Sequence, residues 1–197
     1  MKPVNAIDEN TILDAAYDLL LSVGMQRMTM ADLARHAGIS RATLYRRWGS
    51  VREVVAALTT REWTALVSSA PLVDPGESTR RQLVDTVVAM VRDIRVHPLM
   101  RKIIDVDPEF LLPYLLRRRG ANTDQQLDLL ESGVKAGMAD GSIRQSDTGT
   151  MAKAVLLTAW SFTLTGPVLV EATHGTGPRL DALDAELRDL LDRYLAP

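Results

Sequence analysis

Apolar residues along the chain recur at every third or fourth position and nowhere alternate in twos over a sustained run. The pattern therefore predicts helices throughout and essentially no strand. Ile12, Ala16, Leu19, Leu20 and Val23 share one face of a first helix, which Gly24 should stop. Leu33, Ala34 and Ala37 give a second helix its apolar face. Thr29 is its N-cap, and Asp32 sits in its first turn, where the helix dipole favours an anion. Gly38 can adopt the left-handed conformation that ends a helix. Ile39 closes the corner and Ser40 caps a third helix, with Leu44 as its main inward residue. Gly49 and Ser50 break the third helix from a fourth, which opens on an S-x-x-E capping box of Ser50 and Glu53. Val54, Val55, Leu58, Glu62 and Leu66 mark its stripes to about residue 69.

A turn-rich break at 71–76 suggests a domain boundary. After it, Leu83, Val84, Val87, Val88, Val91 and Ile94 predict a helix over 78–95, and His97-Pro98 opens a short one through 104. Asp107-Pro108 reads as a cap followed by proline at the first helical position, and Pro113 should kink or divide the helix it opens. The run Arg117-Arg118-Arg119-Gly120 reads as a helix ending, with cations in the last turn and glycine after it. Leu127, Leu130, Val134 and Met138 mark a helix that ends at Gly141. Asp147 caps a long apolar helix over 148–164, stopped by Gly166-Pro167. A last helix covers 179–195. Its Leu180, Leu183, Leu187, Leu190 and Tyr194 follow a 3-4-3-4 spacing, the seam of a helix packed along another. Asp181, Asp184, Arg188 and Asp189 occupy the remaining face.

Composition adds mainly exclusions. At 197 residues with 46% apolar and 24% charged, the chain has an ordinary soluble balance and enough apolar surface for a core. Without cysteine there are no disulfides, cysteine-based zinc sites or thiol nucleophiles. The longest apolar runs, such as 154–160, fall short of a membrane span, and the N-terminus lacks a signal-peptide pattern, so a cytoplasmic location is expected. His36, His97 and His174 are scattered, with no glycine-rich phosphate loop and no G-x-S-x-G. No enzyme activity, cofactor or metal site is expected. The charge distribution says more than the net −2. Arg27, Arg35, Arg41, Arg46, Arg47 and Arg52 face only Asp32 between residues 24 and 52, a local +5 that leaves −7 for the rest. A basic island on an acidic chain is the footprint of a localised phosphate-binding face.

Two helices meeting at a glycine turn, the second rich in arginine, describe a helix-turn-helix DNA reader. From about residue 12 to 55 the chain resembles the tetracycline-repressor (TetR) family of transcriptional regulators. The residues that carry the likeness are I-L-D-A-A in the first helix, Gly24, Thr29, L-A-R-H-A-G-I-S, and T-L-Y followed by Trp48. The expected fold is all-α. Residues 1–50 should form a three-helix DNA-binding domain with a fourth helix (about 51–69) as connector. Residues 70–197 should form a helical ligand-binding and dimerisation domain.

With Leu44 inward, Ala42 and Arg46 face out, flanked by Thr43 and Tyr45, and Arg41 projects from the helix N-terminus beside the Ser40 cap. In a helix-turn-helix that end enters the major groove, so Arg41 is the candidate for a bidentate guanine contact and Thr43 for a thymine methyl or a phosphate. Tyr45 and Arg47 resemble the family's phosphate-anchoring pair, and the helix N-terminus at Thr29 can donate to a phosphate. The resemblance has two departures. The family usually carries a lysine clamp early in the fourth helix where this chain has Val51, with Arg52 as substitute about 100° round the helix. Asp8 and Glu9 stand where many relatives are basic. Both imply a shallower salt dependence, at about 0.9 in slope per phosphate contact.

The resemblance further implies dimerisation through the last two helices, here including the 180/183/187/190/194 stripe, and a small-molecule pocket between the middle helices. Candidate lining residues for a mainly apolar effector are Trp63, Met90, Met100, Phe110, Tyr114 and Trp160. The expected function is a homodimeric repressor of a palindromic operator, released by that effector. The alternatives are an activator on the same fold, or a helical ligand- or protein-binding module that no longer reads DNA.

Overall fold

Short polar side chains set most helix starts by accepting a backbone N–H that the first turn leaves without a partner. Asp8 receives Asn10 N (3.1 Å), Thr29 receives Asp32 N (3.1 Å), Ser40 receives Thr43 N (3.1 Å) and Asp147 receives Thr150 N (2.8 Å). The computed structural model describes residues 8–68, 76–117, 119–172 and 175–197. Among these the elements are α1 (Glu9–Val23), α2 (Met30–His36), α3 (Arg41–Tyr45), α4 (Val51–Ser68), α5 (Thr79–Val96) and α6 (Pro98–Val106), then a 3-10 turn (Pro108–Phe110). They continue with α7 (Leu112–Leu116), α8 (Ala121–Ala139), α9 (Thr148–Leu164), α10 (Gly166–Leu169) and α11 (Pro178–Leu195). The fold is all-α, with no strand among the described residues. The end of the fourth helix at 69, the break at 71–75, Arg118 and His174 lie outside them.

The chain forms two compact units. The first joins Met1–Thr64 to Pro98–Arg118, and the second joins Ala65–His97 to Arg119–Pro197. This differs from an N-terminal domain followed by a single block over 70–197. The reason is packing: α2 and α3 are seven and five residues long, too short to enclose a core with α1 alone. Leu99 and Ile103 of α6, with Phe110 after it, therefore complete the core that holds Ile12, Leu20, Leu33, Leu44 and Leu58. Asp107 is fully buried and makes no side-chain cap, contrary to the expected Asp107-Pro108 cap. Its carboxylate instead accepts from Met25 N (2.7 Å) and Gln26 N (3.2 Å).

In the second unit α5 packs against α8, α9 and α11. Val84, Val87, Val88 and Val91 meet Val134, Met151, Val155, Leu187 and Leu191 there. Two expectations fail in α11. Asp184, placed on the face away from the leucine stripe, is 1% exposed, because Arg95 donates to it (2.7 Å to Oδ1) and Arg92 Nε reaches it at 2.8 Å. A paired and hydrogen-bonded charge can be buried at a cost its partners offset. The buried stripe consequently runs Leu180, Asp184, Leu187, Leu191 and Leu195. Leu180 and Leu187 are spent in this core and have no surface left for a partner, which corrects their assignment to a dimer seam. Leu183 and Tyr194 are half-buried, with the Arg144 guanidinium 4.9 Å from the Tyr194 ring centre, and Leu190 remains exposed.

Gly120 also reads differently in the structure. Its φ of −95° is not left-handed, and it opens α8 instead of ending α7, while Arg119 pairs with Asp124 at 3.4 Å. Gly166-Pro167 ends α9 by starting the short α10.

Candidate nucleic-acid interface

The glycine turn is built as its sequence requires. Gly38 has φ +66°, Ala37 N donates to Leu33 O (2.9 Å) and Ile39 N to Ala34 O (2.9 Å), which closes α2 and turns the chain into α3. Leu44 is fully buried beneath α3. Arg41, Ala42, Tyr45, Arg46 and Arg47 are exposed around it, while Thr43 is half-buried with its hydroxyl 2.9 Å from that of Ser40. The candidate reading residues thus share one short, capped element. Among the described residues, no ion-pair partner faces Arg41 or Arg46, so their charge is available to an anion. Arg47 is not equally available, because its Nη1 lies 3.9 Å from Glu9 Oε2.

Thr29 caps α2 and its hydroxyl donates to Asp32 Oδ2 at 2.6 Å. This bond and the adjacent Arg35 hold the Asp32 carboxyl below its ordinary value. Ser50 and Glu53 form the expected box with one change: the Glu53 carboxylate reaches back to Gly49 N (2.9 Å). Val51, the position of the expected lysine, packs against the first core. Arg52 beside it is engaged within its own unit. Its guanidinium lies 5.5 Å from the centre of the Phe110 ring, and Nη2 donates to Glu109 O at 3.3 Å.

The six candidate effector-lining residues divide between the units. Trp63, Met100, Phe110 and Tyr114 belong to the first, Met90 and Trp160 to the second. Phe110 is 2% exposed and stacks at a tilt on Tyr114 (5.5 Å between ring centres), so it is core and has no face to offer a ligand. Trp160 is half-buried and its indole N–H donates to Gln126 Oε1 at 3.2 Å. A cavity of about 390 Å³ opens between α5 and α11, but Arg80, Arg81, Arg188, Asp85, Asp189 and Asp192 give it a charged lining unlike the expected apolar one. Sequence reading missed two contacts that bear on the site. Glu9 restrains Arg47, and Asp107 grips the turn before α2; an Asp-Pro pair carries no sign of a contact eighty residues away.

The family model described as "Bacterial regulatory proteins, tetR family" matches residues 12–58. An HTH-type transcriptional regulator of Mycobacterium bovis is 31% identical over 184 residues, covering 93% of this chain and 92% of its own. Among solved structures, the TetR-family repressor AlkX of a Dietzia species superimposes with a TM-score of 0.66 at 20% identity, over 94% of both chains. The fatty acid degradation regulator FadR of Bacillus halodurans gives 0.63 at 17%, over 97% of both. These structural likenesses speak for the fold of both halves. Together with the capped, arginine-bearing α3 and the full-length relative, they establish that the chain belongs to the TetR family of DNA-binding, helix-turn-helix transcriptional regulators.

Proposed function

We propose that the chain acts as a homodimeric repressor that holds a palindromic operator and leaves it when a small, mainly apolar effector binds. The observation that carries the reading is α3 itself: Arg41 and Arg46 stand exposed over a fully buried Leu44. Arg41 at the N-terminal end reads a guanine, Thr43 and Ala42 lie against neighbouring base edges, and Tyr45 with Arg47 fixes the register on phosphates. Two reading heads are needed, because one short helix contacts too few bases for useful specificity.

Support for a dimer comes from the apolar surface left on the last helices. Leu157 of α9 and Leu190 of α11 are 63% and 45% exposed, and Val168 and Leu169 of α10 are 73% and 75% exposed. The effector class draws on two relatives, one described as implicated in biodegradation of n-alkanes and the other as a fatty acid degradation regulator. Met90 and Trp160, both in the second unit, are the side chains offered to it. The two heads must meet grooves about 34 Å apart, so a small pivot breaks the fit. The effector shifts that equilibrium only by its differential affinity for the two states.

A mobility-shift titration on DNA upstream of the protein's own gene tests the proposal. A shift at low salt, with footprints over two half-sites one helical turn or a multiple of it apart, is expected. No shift at low salt would sink the repressor reading in favour of a binding module. Lower expression of the neighbouring genes on deletion would instead mark an activator.

A further inference from the structure

We propose that Asp107 is a positioning residue for DNA reading: its buried carboxylate pins the turn that leads into α2, within a strap (residues 107–110) that ties together both flanks of the reader. The inference rests on the DNA-reading role of α3. Asp107 is fully buried, so it cannot itself touch DNA.

On one flank, the two oxygens of Asp107 accept from Met25 N (2.7 Å) and Gln26 N (3.2 Å), the second and third residues after α1. Gln26 adds a second tie by donating from Nε2 to Glu109 Oε1. The approach is close enough to constrain the residue just before them. Gly24 has φ +79°, and a Cβ there would lie 3.1 Å from Val106 Cγ1 and 3.3 Å from Asp107 Oδ2. Gly24 thus serves the strap as well as the end of α1.

On the other flank, Arg52 in the first turn of α4 donates to Glu109 O (3.3 Å) and lies over the Phe110 ring. Phe110 is in turn embedded in the core shared with α1, α2 and α3. Asp107, Glu109 and Phe110 therefore hold the segment just before α2 and the segment just after α3. The helix pair between these holds is the DNA reader. Charge-assisted bonds to backbone donors fix a turn more firmly than neutral ones, and removing the acceptor leaves two part-buried N–H groups without a partner.

The test uses the full chain as wild type, Asp107→Ala, Asp107→Asn and Ile103→Val, the last a core change in the same unit that removes none of these hydrogen bonds. Each is titrated against a duplex of the upstream region, with thermal unfolding and amide hydrogen exchange measured in parallel. At a temperature where all are folded, Asp107→Ala is expected to bind about tenfold more weakly, the scale set by loss of hydrogen bonds to a charged group. Exchange at Met25, Gln26 and the start of α2 accelerates with it. Asp107→Asn keeps one accepting oxygen and falls between. Ile103→Val lowers thermal stability and leaves binding within twofold.

Binding by Asp107→Ala within twofold of wild type, or a loss no larger than that of Ile103→Val, overturns the proposal. Should Asp107→Ala fail to fold, Asp107→Asn decides on the same criteria. Wild-type protein that shifts no duplex at low salt overturns the DNA reading itself, and this proposal with it. A wild-type shift with an unaffected Asp107 variant overturns this proposal alone.

Discussion

Most cations described in the second unit are matched to carboxylates, whereas Arg41 and Arg46, at the two ends of α3, are not. Arg95 and Arg92 meet Asp184, Arg80 meets Asp192, Arg119 meets Asp124, Lys135 meets Glu131 and Arg193 meets Asp189. In the first unit Arg61 is held by Asp14 and Glu62, yet Arg41 and Arg46 have no ion pair among the described residues. One unit spends most of its cations on its own carboxylates, within helices and, through Arg80, Arg92 and Arg95, between them. The other leaves a positive field over a rigid, capped helix, which is what a phosphate-bearing partner requires. The difference separates cations that build the fold from cations that face outward, a distinction that net charge hides.

The contrast can be broken from either side. The largest effect is expected in the second unit. Asp184→Ala strands Arg95 in the core and should cost about 3–5 kcal/mol by denaturant unfolding, whereas replacing both with apolar residues (Arg95→Met, Asp184→Leu) should be roughly neutral. A small loss for Asp184→Ala would mean that the pair is not integral to that core. In the first unit, Ile103→Ala should cost about 3 kcal/mol, as buried aliphatic truncations do. Its signature is faster hydrogen exchange in α1 and α2, although residue 103 lies well beyond the sequence boundary drawn near 70. Exchange confined to the second unit would remove 98–110 from the reader.

Much of the reader was legible because its instructions are local. Thr29, Gly38 and Ser40 act within four residues of themselves, and each stands in the structure as its cap or turn chemistry demands. The helices of the second unit were equally legible from periodicity, from Val84 to Leu195. What escaped depends on contacts distant in sequence. Nothing near Asp184 announces Arg95, 89 residues away, so a charged position was left out of the buried stripe and the α11 stripe was misdrawn. Nothing near Asp107 announces Met25. Arg52 points to the same lesson: spacing gave its angle on α4, but Phe110 and Glu109 decided where its guanidinium went.

The most direct test of DNA reading by α3 is a fluorescence anisotropy titration of wild type, Arg41→Ala and Arg47→Ala on the operator duplex and on an unrelated duplex, over a range of salt. Arg41→Ala is expected to lose about 1–3 kcal/mol on the operator, with a much smaller loss on the unrelated sequence. Arg47→Ala should weaken both duplexes alike and lower the salt slope by about 1. Equal losses on the two duplexes for Arg41→Ala, or none on either, would contradict a base-reading role for the N-terminal end of α3.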